Sequence, residues 1–188
     1  MKIRTFIALE LPPSLRHELS GQAKLLAGQD KRQHIRWLPS GNYHLTLAFL
    51  GDVDSASLSG LQFELERKLE SMKAVPCKIP TITPFPFSRP KIVAALLECT
   101  AELRQLQTDV EKCVRSWGIY IERRHFVPHV TLGRLKPRAG KSVDFQAYNI
   151  LFAGIADTVT LFQSELTHIG PIHTALVEIP LRTLPEGE

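Results

Sequence analysis

The chain has 188 residues, of which 44% are apolar and 22% charged, and a net charge of +4. That is the composition of an ordinary globular protein with enough apolar residues for a core that needs neither disulfides nor a structural metal. No apolar run approaches the roughly 20 residues of a membrane helix, so no membrane role is expected. Cys77, Cys99 and Cys113 are odd in number, far apart and without a Cys-x-x-Cys pair. Neither a zinc site nor a disulfide framework follows, and the expected compartment is reducing and cytoplasmic.

In chain order, KIRTFIALE (residues 2–10) reads as a buried first strand. The Glu10 and Pro12-Pro13 that follow it argue against a signal peptide. The prolines open a helix with Leu15, Leu19, Ala23 and Leu26 on its apolar stripe. The extended piece IRWLP leads to a strand over Tyr43–Leu50, which Gly51-Asp52 is expected to end. Asp54-Ser55 then opens a second helix with Leu58, Leu61, Leu65 and Leu69 inside and a Glu64–Lys68 pair outside. VPCKIPTITPFPF reads as a strand running into a proline-rich loop, and KIVAALLECT as a buried strand. Thr100 caps a third helix, with Leu103, Leu106, Val110 and Cys113 inward and Gly118 at its end. A strand through HVTLGRL follows. Two closing strands, DTVTLFQSEL and IHTALVEIPL, are joined by THIGP. No element is assigned with weight over residues 136–152. The doubled order predicts an α+β fold of two similar lobes, with helices outside two mainly antiparallel sheets.

HLTLAFLG (44–51) returns 85 positions later as HVTLGRLK (129–136). Side chains alternate along a strand, so His44 and Thr46 share one face while Leu45 and Leu47 share the other. His129 and Thr131 are set against Val130 and Leu132 in the same way. Two related lobes facing each other would bring two imidazoles and two hydroxyls into one cleft. Imidazoles titrate near neutrality, so such a pair can take a proton from an attacking oxygen and give one to a leaving oxygen. Threonine hydroxyls suit phosphoryl oxygens, and Arg134 adds a fixed positive charge for an anion or a base. This is the equipment of an in-line displacement at a phosphodiester. His-Glu-x-x-His, Gly-x-Ser-x-Gly and phosphate-loop motifs are absent, so no metal and no cofactor are expected. Basic residues cluster before the motifs (Lys31, Arg32, Arg36; Arg123, Arg124) and in and after the second (Arg134, Lys136, Arg138, Lys141). His17, His34, His125, His168 and His173 have no partner motif and are expected to be structural or surface residues.

The paired motifs resemble the two His-x-Thr signatures of the 2H phosphoesterases, in particular the RNA 2′,3′-cyclic phosphodiesterase (2′-5′ RNA ligase) family. TFIALELP, RWLPSGNYHLTLAFLGDV, FVPHVTLGR and LFQSELTHIGPIHTALVEIPL agree in place and order, so the resemblance spans nearly the whole chain. It implies one bilobal domain over 1–188, with motif strands near 43–50 and 128–135, a pseudo-two-fold axis and a central cleft. It implies metal-independent hydrolysis of RNA 2′,3′-cyclic phosphate ends to a 2′-phosphate, with 2′-5′ ligation as a secondary capacity. His44 and His129 are then the catalytic pair, His44 as acid to the departing 3′-oxygen and His129 as base on water. Thr46 and Thr131 hold the phosphate. Arg134 is placed at the cleft, on phosphate or against a base. Phe6 either stacks on a base or packs in the core, and Phe49 is expected in the core. KIVAALLE lacks the Trp that relatives often carry, and His173 stands where an aromatic is common. The expected partner is RNA with a 2′,3′-cyclic end or a cyclic nucleotide, with no membrane and no obligate protein partner, and the protein is expected to be a monomer. Alternatives are another phosphodiester (2′-5′ oligoadenylate, ADP-ribose cyclic phosphate, a tRNA splicing intermediate) or a non-catalytic RNA-binding protein. The two intact His-x-Thr pairs speak against the last.

Overall fold

The structure is a computed structural model, and it describes residues 1–122, 125–137, 147–168 and 170–183. Arg123, Arg124, Arg138 and Lys141 of the basic clusters lie outside these residues. The chain order is β1 (Lys2–Glu10), α1 (Pro13–Gln29), β2 (Ile35–Trp37), β3 (His44–Asp54), α2 (Ser55–Leu69), β4 (Val75–Phe85), β5 (Ile92–Leu96), α3 (Ala101–Ser116), β6 (His129–Leu135), β7 (Tyr148–Ala156), β8 (Thr158–Thr167) and β9 (Gly170–Pro180). A short 3-10 turn at Ser40–Asn42 precedes β3. The strands lie in the order β7-β4-β5-β6-β3-β1-β8-β9, all neighbours antiparallel, with β2 on β6. The α+β class and the antiparallel strands agree with the sequence.

The two expected sheets are halves of one, joined where β3 meets β6. The joint is a single pairing, Leu45↔Val130, and these are corresponding residues of the two motifs. Corresponding residues facing each other in an antiparallel pair are what a local two-fold axis produces. Strand order is mirrored about it: β6, β5, β4 and β7 on one side, β3, β1, β8 and β9 on the other. The seam stays one pairing long because β2 takes over the same edge of β6. Ile35, Arg36 and Trp37 pair with Leu135, Arg134 and Gly133, and the Leu38 N–H donates to the Leu132 carbonyl at 2.9 Å. Gly133 allows this approach, since a Cβ there would stand 2.6 Å from Ile35 Cγ2.

Both motif strands carry a bulge at the same place. Along β1 and β3 the register passes from Ala8↔Thr46 to Ile7↔Ala48, leaving Leu47 over. Along β5 and β6 it passes from Ala94↔Thr131 to Val93↔Gly133, leaving Leu132 over. Each extra residue is the third after its histidine. A bulge shifts the alternation by one residue, so Leu47 and Ala48 are both buried, as are Leu132 and Gly133. The buried amide of Gln107 on α3 reaches the Leu47 carbonyl at 3.5 Å.

The helices form as their signals indicate. Leu15, Leu19, Ala23 and Leu26 are the buried stripe of α1. The Asp54 carboxylate accepts from the Ala56 N–H at the start of α2, and the Thr100 hydroxyl accepts from the Leu103 N–H at the start of α3. Gly118, at φ 72, follows the end of α3. α2 and α3 pack on each other and on β3; α1 packs against β7 and β2.

Four local expectations are corrected. Gly51-Asp52 does not end β3: Gly51 takes φ 70 at a second register shift, and the strand runs on with Asp52 opposite Arg4 and Asp54 opposite Lys2. Opposite charges in directly paired positions favour that extension. Lys68 does not pair with Glu64. It reaches Asp109 on α3 at 3.3 Å, and Glu64 pairs with Arg67 at 2.8 Å. The Asp109 carboxylate is nearly buried between the two helices, where an unpaired charge is costly. β4 continues through Pro84 to Phe85 instead of dissolving into a loop, with Pro80 accommodated at its register shift against β7. β7 was not expected: Leu151 and Ile155 stay exposed on its outer face, which erased the polar/apolar alternation that marks a strand. Among the described residues no helix is long and apolar enough to cross a membrane.

Candidate active site

The seam fixes where the motif side chains go. Leu45 and Val130 are fully buried, so the flanking residues turn to the opposite face. Extending the antiparallel register by one residue each way sets His44 across from Thr131 and Thr46 across from His129. All four line one cleft of about 420 Å³, a size usual for small-ligand sites. Arg134 lines it as well, joined by Arg36 and Arg4. Its described lining residues include three guanidiniums and no carboxylate, which suits an anion. Among the described residues no three His, Cys, Asp or Glu side chains group so as to hold a metal ion.

The two histidines have different surroundings. The His44 ring is stacked on Phe6 at 4.8 Å between centroids and meets His173 edge-on at 5.3 Å, with Phe162 at 6.0 Å. Burial holds this imidazole neutral, and repulsion from His173 when that ring is charged, and from Arg134, adds to the effect. A hydrogen bond to the Asn42 backbone opposes them, and the pKa is pushed down to about 4. Burial and Arg134 lower the His173 pKa as well. His129 Nδ1 lies 2.8 Å from the Val127 carbonyl. A carbonyl only accepts, so Nδ1 carries the proton and Nε2 keeps the lone pair in the neutral ring. Its ring neighbour is Phe85, at 5.0 Å.

Phe6, which the sequence left between base stacking and the core, is 3% exposed and stacked on Phe162 at 5.2 Å as well as on His44. Packing is what is observed, and the ring positions an imidazole. Phe49 is not a core residue. It is 47% exposed at the cleft, with the Arg4 guanidinium 4.8 Å from its ring centre. Five residues beyond His44 an unbroken strand would put it on the core face; the bulge at Leu47 reverses that. The same displacement in β6 turns Arg134 into the cleft. His173, expected to be ordinary, lines the cleft from β9 against Phe6 and His44. Its position depends on the register of the closing hairpin, where it faces Ser164, and no sequence motif marks it. Arg36 and Arg4 were also missed as cleft residues; pairing of β2 with β6 and of β1 with β3 brings them there.

A family model described as the 2′-5′ RNA ligase superfamily matches residues 12–148. The chain belongs to the 2′-5′ RNA ligase superfamily. The superfamily match contains both His-x-Thr motifs. An RNA 2′,3′-cyclic phosphodiesterase from Thermotoga maritima is 28% identical over 187 residues, covering 94% of each chain. Among solved structures, TT0787 of Thermus thermophilus superposes with a TM-score of 0.83 at 22% identity, over 96% of this chain and 99% of that one. E. coli LigT complexed with 3′-AMP gives 0.79 at 23% identity, over the same shares. Likeness at these identities is a likeness of fold.

Proposed function

We propose that this protein hydrolyses the 2′,3′-cyclic phosphate end of RNA to a 2′-phosphate, with His44 and His129 as proton handlers. The observation that carries this is the seam at Leu45↔Val130, which sets two His-Thr pairs face to face in a cleft lined by arginines. Its Thermotoga relative is named an RNA 2′,3′-cyclic phosphodiesterase, and the LigT structure was solved with 3′-AMP.

His129 Nε2, with Nδ1 tied to Val127, takes the proton of a water as its oxygen attacks phosphorus. The bond to the 3′-oxygen breaks, and that oxygen leaves with a proton from His44, so the phosphate stays on the 2′-oxygen. Thr46 and Thr131 donate to the non-bridging oxygens, and Arg134 offsets their charge. His44 is neutral in the free protein, so an acid role requires it to gain a proton when the phosphodiester anion enters. Negative charge beside a buried imidazole favours that gain. A 5′-hydroxyl in place of water gives a 2′-5′ linkage by the same transfers. We place this activity on a monomer, one bilobal unit spanning residues 1–188, in the cytoplasm, without an obligate protein partner.

Calorimetry of a non-hydrolysable 2′,3′-cyclic nucleotide analogue binding at neutral pH, in buffers of different ionisation enthalpy, tests the roles. Uptake of about one proton, lost in His44→Gln and kept in His129→Gln, supports His44 as acid; uptake lost only in His129→Gln exchanges the roles. Turnover of 2′-5′ oligoadenylate or ADP-ribose cyclic phosphate, without turnover of cyclic-ended RNA, would replace the substrate.

A further inference from the structure

Beside His129, β4 ends at Phe85 and the chain returns to β5 through Pro86-Phe87-Ser88-Arg89-Pro90-Lys91. Phe85 lies 5.0 Å from the His129 ring, tilted by 39°, and Phe87 stands edge-on to Phe85 at 5.8 Å. Phe87 is 70% exposed. Around His44 the neighbouring Phe6 is buried; around His129 the rings lead outward to solvent.

The segment is pinned at its base. The Lys91 N–H donates to the Phe85 carbonyl at 2.9 Å, and the Leu135 N–H donates to the Lys91 carbonyl at 2.9 Å. Ile92, the next residue, pairs with Arg134. The segment is thus held beside β6, the strand that carries Arg134. Arg89 and Lys91 are exposed in the same segment. A half-buried ring and an exposed one, flanked by cations and joined to the cleft through the contact of Phe85 with His129, match the requirements for single-stranded nucleic acid: rings for base faces and cations for the backbone.

We propose that Phe85 and Phe87 form a stacking ledge for a second nucleobase, so that the preferred substrate is an RNA strand and not a single cyclic nucleotide. The proposal rests on the phosphodiesterase reading of the same cleft. His129 acts on the attacking oxygen in that reading, so the ledge lies on the side where a 5′-hydroxyl nucleoside would enter. The nucleotide preceding the cyclic end is the other source of a base. The ligand chemistry is the same for both.

Two probes separate these sources. One is a 2′-phosphate-ended RNA trinucleotide with 2-aminopurine at its penultimate position. The other is a 5′-hydroxyl dinucleotide with 2-aminopurine at its 5′ end, added with uridine 2′-phosphate. Stacking quenches the fluorophore, so quenching of either probe by the wild type, lost in Phe87→Ala and kept in Phe87→Trp, is the expected result; the probe that responds names the source. In parallel, kcat/KM on a cyclic-ended trinucleotide should exceed that on uridine 2′,3′-cyclic phosphate by about tenfold or more, and Phe87→Ala should bring that ratio toward one. Phe85→Leu serves as a second variant. Quenching of neither probe, or quenching unchanged in both variants, overturns the ledge. A wild type that binds and quenches but turns over neither substrate leaves the ledge standing and refutes the phosphodiesterase reading. Quenching of neither probe with normal turnover does the reverse, and leaves the exposed rings to a protein partner.

Discussion

His44 and His129 occupy equivalent motif positions in unequal surroundings, and their chemistry follows from the inequality. Replacing either by Ala should lower kcat by about 10²- to 10⁴-fold, the usual worth of a positioned acid or base, with an unchanged far-ultraviolet circular dichroism spectrum; near-normal turnover in either variant would remove that residue from the mechanism. His173 meets the His44 ring edge-on at 5.3 Å, so its expected influence on the reaction runs through that imidazole. A charged His173 lowers the His44 pKa, second only to burial, so His173→Phe should raise it. Nuclear magnetic resonance titration of the His44 ring should follow that rise, and an unmoved midpoint would reduce His173 to packing. At this scale the sequence was informative where a motif repeats: His44, Thr46, His129 and Thr131 line one cleft as their spacing indicated. His173, Arg4 and Arg36 arrive from other strands by pairing, and no local pattern encodes that.

The strand is the scale at which the two halves are most alike. The matched bulges at Leu47 and Leu132 set which side chain follows each His-x-Thr into the cleft, Phe49 in one half and Arg134 in the other. Simple alternation misplaces Phe49, because a bulge leaves no mark in a single sequence beyond two adjacent buried residues. Helices were legible almost to the residue, since their caps (Asp54, Thr100) and stripes are local. β7 was not, having apolar residues on both faces. The approach of β2 to β6 depends on Gly133, whose added Cβ would strike the buried Ile35. Gly133→Ala should therefore cost about 1–3 kcal/mol by overpacking. For a chain of this size that is a fall of roughly 2–10 °C in Tm. KM should rise as Arg36 is displaced with β2. A variant with unaltered Tm would show that β2 yields freely and does not hold the seam open.

For the whole molecule, the mirrored strand order places one cleft on the axis between two halves, so the site belongs to neither half alone. Building a neutral imidazole there has a cost that pH exposes. The His44 pKa is near 4 when folded and 6.5 by reference, so between these values the unfolded chain binds a proton that the native state refuses. Stability should fall as pH drops from about 6.5 to about 4, by up to about 3 kcal/mol, with no contribution above that window. His44→Gln should lack this loss, and urea midpoints of the two proteins across the window measure it; parallel curves would mean that His44 titrates normally. The central claim is that two opposed histidines move protons across one phosphodiester. The most direct measurement is phosphorus-31 resonance of a 2′,3′-cyclic-phosphate-ended RNA incubated with the protein in excess chelator. A single monoester at the 2′ position, formed by the wild type and by neither His44→Ala nor His129→Ala, is the predicted result. A 3′-phosphate product, turnover only when a divalent metal is restored, or an undiminished product in either variant would contradict it.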